Sequence, residues 1–593
     1  MLPIAYGVVD GDGTLKAAAK IADKIIERDM KISVVGIPKT IDNDIYMVSR
    51  SFGFDTAVDV STNAIISANN EAEGYPNGIG LIKLMGRHSG FIAATAVLAQ
   101  QDVNFVLIPE VDFDLEGPNG LLNALEKRLA ERKHAVIVVA EGAGQKFFKD
   151  EKNQNELSGV ARRLSKVVDS ESRYLPDYIG HLDSEEVDIL ISRIDKLKDI
   201  TWCINSEIVT NIKKIRELLG DGNEDPNITM VSIFKQINSV LNSIDRLEVR
   251  GRDSAGISMM FILDGIEYDR FVKALEKMNL IDQLTERAAQ DVLVNSSVNI
   301  NLTRNENNQK NVSLALTYKV AAEVGHLGDN IRFIRKEIKN DKILQKLVSF
   351  PHRYFTISAH TRWASVGAIS EPNCHPVDNK FSGDSSQQSG IIHVCLNGDI
   401  DNYLELKKEY ERDGGFIHQN ITTDTKIIPL QVGKYIQQGF DIEEAFRLAV
   451  NDFEGSHAIS MHTDLAPGKL FLAQKGSGQA IFVGISEDHY VPSSEVYGLV
   501  EETPFFIKMD GEKEVQGKNG LTQGQIFILD QKSPGGIDGI KAMYYDRTPL
   551  ILNKKDIKHT EITSRDIDRQ DFPHYFLKEI SEAPISVEKT LQN

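Results

Sequence analysis

A chain of 593 residues, 41% hydrophobic and 26% charged, is long enough for roughly two to four soluble domains. Its net charge of -19 argues against nucleic acid and anionic membrane as main partners, because their phosphates would be repelled; small anions can still bind at local clusters of arginine and backbone N–H. Three cysteines (Cys203, Cys374, Cys395), no CxxC pair, no signal-peptide pattern and no apolar run of membrane-spanning length lead us to expect a cytoplasmic protein without disulfides or structural zinc.

Strand-like apolar runs fall at 4–9, 32–37, 80–84, 104–108 and 135–140, separated by amphipathic stretches at 15–28, 56–72 and 120–132. This alternation predicts a parallel sheet covered by helices over residues 1–147. From 148 to 245 the sequence is charged and helical in period, broken by GDGNEDPN at 220–227 and resuming at 228–247. Short strands with Gly/Asn/Asp turns begin at 250, are interrupted by a helical tract through about 348, and resume from 351. The expected fold class is therefore an α/β and α+β multidomain chain with boundaries at 1–147, 148–245, 246–545 and 546–593.

Three turns carry chemistry in the first region. GDGT at 11–14 places a glycine turn between strand and helix, where backbone N–H groups of Gly11 and Gly13 can meet phosphate and Asp12 can hold Mg²⁺. PKTIDNDI at 38–45 puts Lys39, Thr40, Asp42 and Asp44 within one turn, enough for a phosphate-facing cation, a general base and a metal-facing carboxylate. MGRHSG at 85–90 sets Arg87 where a strand passes into a helix. Alone, the glycine turn of GDGT is more often structural; the bland reading of PKTIDNDI is a solvated acidic turn, although a Lys and two Asp around one Ile are less common there.

Together and in this order the three turns resemble phosphofructokinase. By that resemblance Asp42 is the base for a sugar hydroxyl. Met85, Arg87 and Glu141 (of EGAG, 141–144) contact fructose 6-phosphate, while Gly11, Gly13 and Lys39 face the nucleotide and Asp12 and Asp44 the metal. The pairing of Gly13 with Lys39 is similar to the plant- and trypanosome-like branch that uses ATP with Mg²⁺. The resemblance spans residues 1–147 and implies a truncated doubly wound parallel sheet.

The last region has its own constellation. In HTRWASVG (360–367) Arg362 can fork an α-carboxylate with Trp363 as a wall. In CLNGDIDNY (395–403) the Asn397 side chain and the Gly398 N–H can aim two donors at one oxygen. Asp424 in TTDT (422–425) suits an ammonium group. The bland readings are a surface Arg–Trp stack, a hairpin Asn-Gly turn and a helix cap.

Those segments, with RLEVRGRDSAGIS (246–258), SEPNCHP (370–376), KGSG (475–478) and HYFLKEISEAP (574–584), resemble glutamine–fructose-6-phosphate aminotransferase, a class II glutamine amidotransferase. The resemblance implies an αββα sandwich of the N-terminal-nucleophile hydrolase type over 246–545, with 546–593 as the linker toward a sugar isomerase domain. Arg362, Trp363, Ser365 and Asp424 would hold glutamine, Asn397 and Gly398 would form the oxyanion hole, and Arg250 and Gly251 would support the nucleophile's end. That family's nucleophile is an N-terminal cysteine; here Leu2 follows Met1 and the three cysteines read as structural, so the expectation is an impaired glutaminase component of amino-sugar synthesis. The alternatives are an ATP-dependent 6-phosphofructokinase-like sugar-phosphate kinase and a non-catalytic module binding glutamine or sugar phosphate. The expected partners are glutamine, fructose 6-phosphate and a homo-oligomeric copy, with no cofactor for the amidotransferase-like part.

Overall fold

The computed structural model describes residues 4–10, 12–28, 30–86, 89–144, 151–179, 184–220, 228–304, 310–321, 326–380, 390–486, 489–518, 520–533, 535–569 and 572–592. The chain divides into two compact units, Met1–Val209 and Thr210–Asn593.

The first unit runs β1 (Ile4–Asp10), α1 (Asp12–Glu27), β2 (Ile32–Thr40), β3 (Phe52–Gly53), α2 (Phe54–Gly74), β4 (Gly78–Leu84), α3 (Phe91–Ala99), β5 (Phe105–Leu107), α4 (Leu121–Arg132), β6 (His134–Ala140), α5 (Glu151–Ile179) and α6 (Ser184–Trp202). Every pairing is parallel, as the strand–helix alternation predicts. One doubly wound sheet was expected; among the described residues there are two three-stranded sheets, β1-β2-β3 and β4-β6-β5. The reason is local: after Thr40 the chain leaves the ladder through the turn 41–51, and only the two residues of β3 re-enter it. Helix α3 was not anticipated, because FIAATAVLA is apolar throughout and shows no helical period. The core gathers Phe54, Ile65, Ile82, Leu84, Ile92, Val136 and Val138. The charged helical tract is tied back to this unit: Glu156 Oε1 accepts from Leu115 N (2.7 Å) and Glu116 N (2.9 Å).

The second unit follows a π-helical stretch, Cys203–Thr210, that spans the division. Its elements are α7 (Asn211–Leu218), α8 (Ile228–Leu247), β7 (Ser254–Asp264), α9 (Gly265–Lys277), α10 (Ile281–Ala288), β8 (Val298–Arg304), β9 (Lys310–Ala321), α11 (Asp329–Asn340), α12 (Lys342–Leu347), β10 (Tyr354–Arg362), β11 (Val377–Asp378) and β12 (Ile392–Gly398). Then come α13 (Tyr403–Arg412), α14 (Ile427–Gln437), α15 (Ile442–Asn451), β13 (His457–Thr463), β14 (Lys469–Lys475), β15 (Phe482–Ile485), β16 (Tyr490–Ser493), β17 (Phe505–Lys508), β18 (Val515–Gly517), β19 (Gly520–Thr522), β20 (Gln525–Asp530), β21 (Ile540–Tyr544), β22 (Lys558–His559), α16 (Ser564–Ile567) and α17 (Tyr575–Gln592).

An antiparallel sheet β10-β7-β9-β8 lies against a six-stranded one, β11-β12-β13-β14-β20-β21. Alternation along β7 and β9 sends Ile257, Met259, Phe261, Leu314, Leu316 and Tyr318 into one apolar core with Phe234, Ile237 and Leu241 of α8 and Ile334 and Ile338 of α11. Helix α8 thus packs into the same core as β7, although the sequence places it in the preceding charged tract. On the far side, Val394, Leu396, Ile459 and Met461 join Ile428 and Val432 of α14 and Phe446 of α15. The order is helices, sheet, sheet, helices.

Between the sheets the alternation delivers polar residues. Ser258 Oγ lies 2.7 Å from His393 Nδ1, and the Lys426 ammonium donates to Asp378 Oδ1 at 2.9 Å, all of them buried. Burial pushes the Lys319 ammonium down to about 8. Paired charges like these tolerate burial only because each donor finds an acceptor. No helix among the described residues is long and apolar enough to cross a membrane.

Candidate functional site

In the first unit three strand ends meet. Ser89 Oγ donates to the Asp42 carbonyl at 2.9 Å, across 47 residues, joining the TIDND turn to the turn after β4. Glu141 N donates to Leu84 O (2.8 Å) and Gly142 N to Gly86 O (3.0 Å), bringing in the end of β6. Gly86 has φ 129°, and a Cβ there would lie 2.3 Å from Ser89 O, so this turn requires glycine. The TIDND turn is pinned from within: Thr40 Oγ1 accepts from Asp42 N (3.2 Å), Asn43 Oδ1 from Ser51 N (2.8 Å), and Thr40 O from Ser51 Oγ (2.6 Å).

Asp42 and Glu141 are half-buried at this junction, while Lys39, Asp44 and Met85 are exposed. Carboxyl ends of parallel strands are where such sheets bind ligands. Gly11 and Arg87 lie outside the described residues. So does the side chain of Asp12, which with Gly13 begins α1.

In the second unit the predicted residues converge on one cavity of 1210 Å³. Arg250, Arg362, Trp363, Ser365, Asn397, Gly398 and Asp424 all line it. Gly251 backs the strand end: a Cβ there would sit 2.8 Å from Arg362 C and 2.9 Å from Trp363 N. Gly398, at φ 114°, could carry no Cβ either, because Ser456 O would lie 2.2 Å away.

The individual side chains are engaged in ways the motifs do not disclose. Arg362 is buried, and its guanidinium donates to the carbonyls of Val366 and Ala368, so it closes the 362–368 turn. Burial lowers its affinity for a proton, against Cys374, Asp424 and Asp253, which raise it. Trp363 is 76% exposed and forms no closed wall. Ser365 Oγ donates to Asp399 Oδ1 at 2.7 Å. Arg250 pairs with Glu495 at the surface.

Asp424 is no helix N-cap. Its Oδ2 accepts from Ile400 N (2.9 Å) and its Oδ1 from Thr425 N (2.9 Å), which locks the 399–401 and 423–425 loops together. Burial raises its carboxyl above the usual range.

Two residues that motif reading missed stand behind this loop. Leu396 N donates to His375 Nδ1 at 3.4 Å, so the ring's proton sits on Nε2, 2.8 Å from Thr425 Oγ1. His360 stacks on it with centroids 4.6 Å apart. Burial holds His360 down at about 4 and His375 well below its ordinary value, so both rings are neutral at pH 7. The HTR and CHP segments contained these histidines, but nothing in their spacing marks them as a pair.

The surroundings of the three thiols disfavour the thiolate. Burial pushes Cys395 and Cys203 up to about 12 and raises Cys374, whose Sγ contacts Val320 O and Ser370 O, both at 3.4 Å. The buried Ser258–His393 pair is not among the residues that line the cavity. Among the described residues no group of three His, Cys, Asp or Glu side chains is arranged to hold a metal ion.

Residues 5–183 match the phosphofructokinase family model. An ATP-dependent 6-phosphofructokinase of Borreliella burgdorferi is 54% identical over 157 residues, which is 26% of this chain and 35% of that protein. ATP-dependent 6-phosphofructokinase 1 of Arabidopsis thaliana is 55% identical over 143 residues, 24% of this chain and 30% of that one. The chain spans about a third of the length of these curated relatives. Among solved structures, one described as the allosteric regulatory enzyme of purine biosynthesis aligns at TM-score 0.30 with 15% identity, covering 52% of this chain and 46% of that one. The N-terminal region is a phosphofructokinase-family domain.

Proposed function

We propose that the first unit takes a phosphorylated ketose, fructose 6-phosphate, where the turns after β2, β4 and β6 meet. The observation that carries this reading is the junction of Asp42, Ser89 and Glu141, three motif positions far apart in sequence held together by hydrogen bonds. In this reading Glu141 and Met85 contact the sugar, Arg87 its phosphate, and Asp42 takes the proton of the sugar hydroxyl. Backbone bonds fix the position from which the Asp42 carboxylate acts.

ATP would lie against Gly11, Gly13 and Lys39, with Mg²⁺ between Asp12 and Asp44. Mg²⁺ demands a near-octahedral oxygen shell. Asp44 stands exposed and the Asp12 side chain lies outside the described residues; with two such carboxylates the ion would complete its shell from substrate phosphate and water and would neutralise charge on the transferred group. Binding is tested by isothermal titration of the full chain with fructose 6-phosphate. Heat is expected with the native chain and with Asp42→Asn, and its loss with Glu141→Ala. Absent heat at millimolar sugar phosphate disposes of the reading.

A second reading is supported by the convergence of Arg362, Ser365, Asn397, Gly398 and Asp424 on one cavity. The second unit is then an amide-binding module of the glutamine amidotransferase type. Asn397 and Gly398 would face the amide oxygen, and Asp424 and Arg362 the amino-acid end of glutamine. Because burial holds the three thiols protonated, the module binds rather than hydrolyses. A glutamine-mimicking electrophile should leave Cys203, Cys374 and Cys395 unlabelled by mass spectrometry, while glutamine raises the melting temperature of the native chain. Covalent labelling of any of the three would restore the glutaminase component of amino-sugar synthesis; no thermal shift would remove the module altogether.

A further inference from the structure

A closed chain of hydrogen bonds surrounds the turn that carries Asn397 and Gly398. Before the turn Leu396 N donates to His375 Nδ1 (3.4 Å); after it Ile400 N donates to Asp424 Oδ2 (2.9 Å). The two acceptors are themselves joined. His375 Nε2 lies 2.8 Å from Thr425 Oγ1, and the Thr425 hydroxyl donates to Asp424 Oδ1 at 3.4 Å. Residues 397–399, which line the cavity, thus stand on a ring of Leu396, His375, Thr425, Asp424 and Ile400, every one of them buried.

The direction of the protons around this ring is fixed. A backbone N–H only donates, so His375 Nδ1 accepts and its Nε2–H is the donor to Thr425. A hydroxyl has one proton, and Thr425, having accepted from the histidine, gives its own to Asp424. The tautomer persists because burial, with His360 and Arg362 beside the ring, keeps a second proton off His375. At Asp424 burial and the neighbouring Asp399 favour the neutral carboxyl, and only the donors aimed at it favour the carboxylate that an ammonium group needs.

Given the amide-binding reading of the second unit, on which this rests, we propose that His375 is the positioning residue of the cavity. Through the Thr425 hydroxyl it holds the Asp424 carboxylate in place for a ligand's ammonium group, and through Leu396 N it fixes the strand end from which Asn397 and Gly398 extend. The histidine thereby couples the two ends of the ligand site without itself having to touch the ligand. Because the bonds form a ring, a displaced Thr425 hydroxyl loosens the hold on Asp424 and, with it, on Ile400 N.

The probes are glutamine and glutaramate, which is glutamine without its α-amino group, titrated calorimetrically into the full chain. Thr425→Val keeps the shape of the side chain and both backbone bonds to Asp424 but breaks the link to His375. It should weaken glutamine by about tenfold or more, as loss of support to a charged group does, and leave glutaramate within about twofold. His375→Phe should weaken glutamine by about as much; should that variant fail to fold, Thr425→Val decides alone. His375→Gln, whose amide N–H can still reach Thr425 Oγ1, should bind glutamine within about threefold of the native chain. In an Asp424→Asn background Thr425→Val should change glutamine affinity by less than about twofold, because the group it acts through is gone. Equal weakening of both probes by Thr425→Val, or unchanged glutamine affinity, overturns the positioning role while the amide-binding reading stands. A native chain that binds neither probe removes that reading and the positioning role with it.

Discussion

Strands β2 and β7 are both apolar by sequence, ISVVGIPKT and SAGISMMFILD, yet they meet different fates. Ten of the eleven residues of β7 are buried. In β2 none is, and Val35 and Ile37 are 53% and 37% exposed. The same contrast recurs on β4, where Ile82 and Leu84 are buried while Ile79 and Leu81 are 47% and 68% exposed. Parallel strands are normally covered on both faces. An apolar run therefore decides that a segment becomes a strand, whereas a second layer of structure decides whether that strand becomes core. The second unit supplies its own layers on both sides of the double sheet; the first leaves apolar faces open, the kind of surface that marks an interaction site.

The largest effect that would sharpen this contrast is at Phe261, fully buried on β7 with its ring 4.5 Å from Phe355. Phe261→Ala should cost roughly 3–5 kcal/mol in chemical denaturation of the second unit. A cost under about 1 kcal/mol would mean that the two cores are packed no differently.

Acid comes next. Burial holds His360, His393 and His457 at about 4, and His375 and His462 well below their ordinary value. Below the unfolded value near 6.5, the unfolded chain takes up protons that these rings refuse. Stability is then complete above about pH 6.5 and falls as the pH drops toward 4, by on the order of 3 kcal/mol for a ring such as His393. The buried carboxyls of Glu248, Asp424 and Asp464, raised by desolvation, work in the opposite sense but are fewer. The melting temperature of the second unit should drop between pH 6.5 and 4; a flat profile would mean that the polar layer between the sheets is hydrated.

A smaller loss is expected for Gly398→Ala, about 1–3 kcal/mol from backbone strain, together with loss of glutamine-induced stabilisation. Smallest of all is Leu81→Ser on the open face of β4, within about 0.5 kcal/mol in denaturation but with reduced self-association in sedimentation velocity. A cost above 2 kcal/mol would show that Leu81 is covered after all.

Much of this was legible beforehand. The strand runs at 4–9, 32–37, 80–84 and 135–140 match β1, β2, β4 and β6 to within a few residues, and 228–247 is α8 itself. Seven motif residues between 250 and 424 line one cavity. Helix α3 escaped because it has no polar face to give it a period, and β3 because two residues form no pattern. The local bonding of Arg362 was also hidden: the motif does not show that its guanidinium donates to the carbonyls of its own turn.

Local chemistry is written along the chain, so the sequence by itself determined the apolar periods, the glycine turns and the types of side chain brought to each site. Only the tertiary structure decided which apolar faces are covered, which histidines stack, and that β10 lies at the edge of its sheet. Those outcomes depend on contacts between separate elements of the fold, such as His360 on His375 and β10 along β7. Such contacts form only when whole layers pack, and no window of sequence contains them.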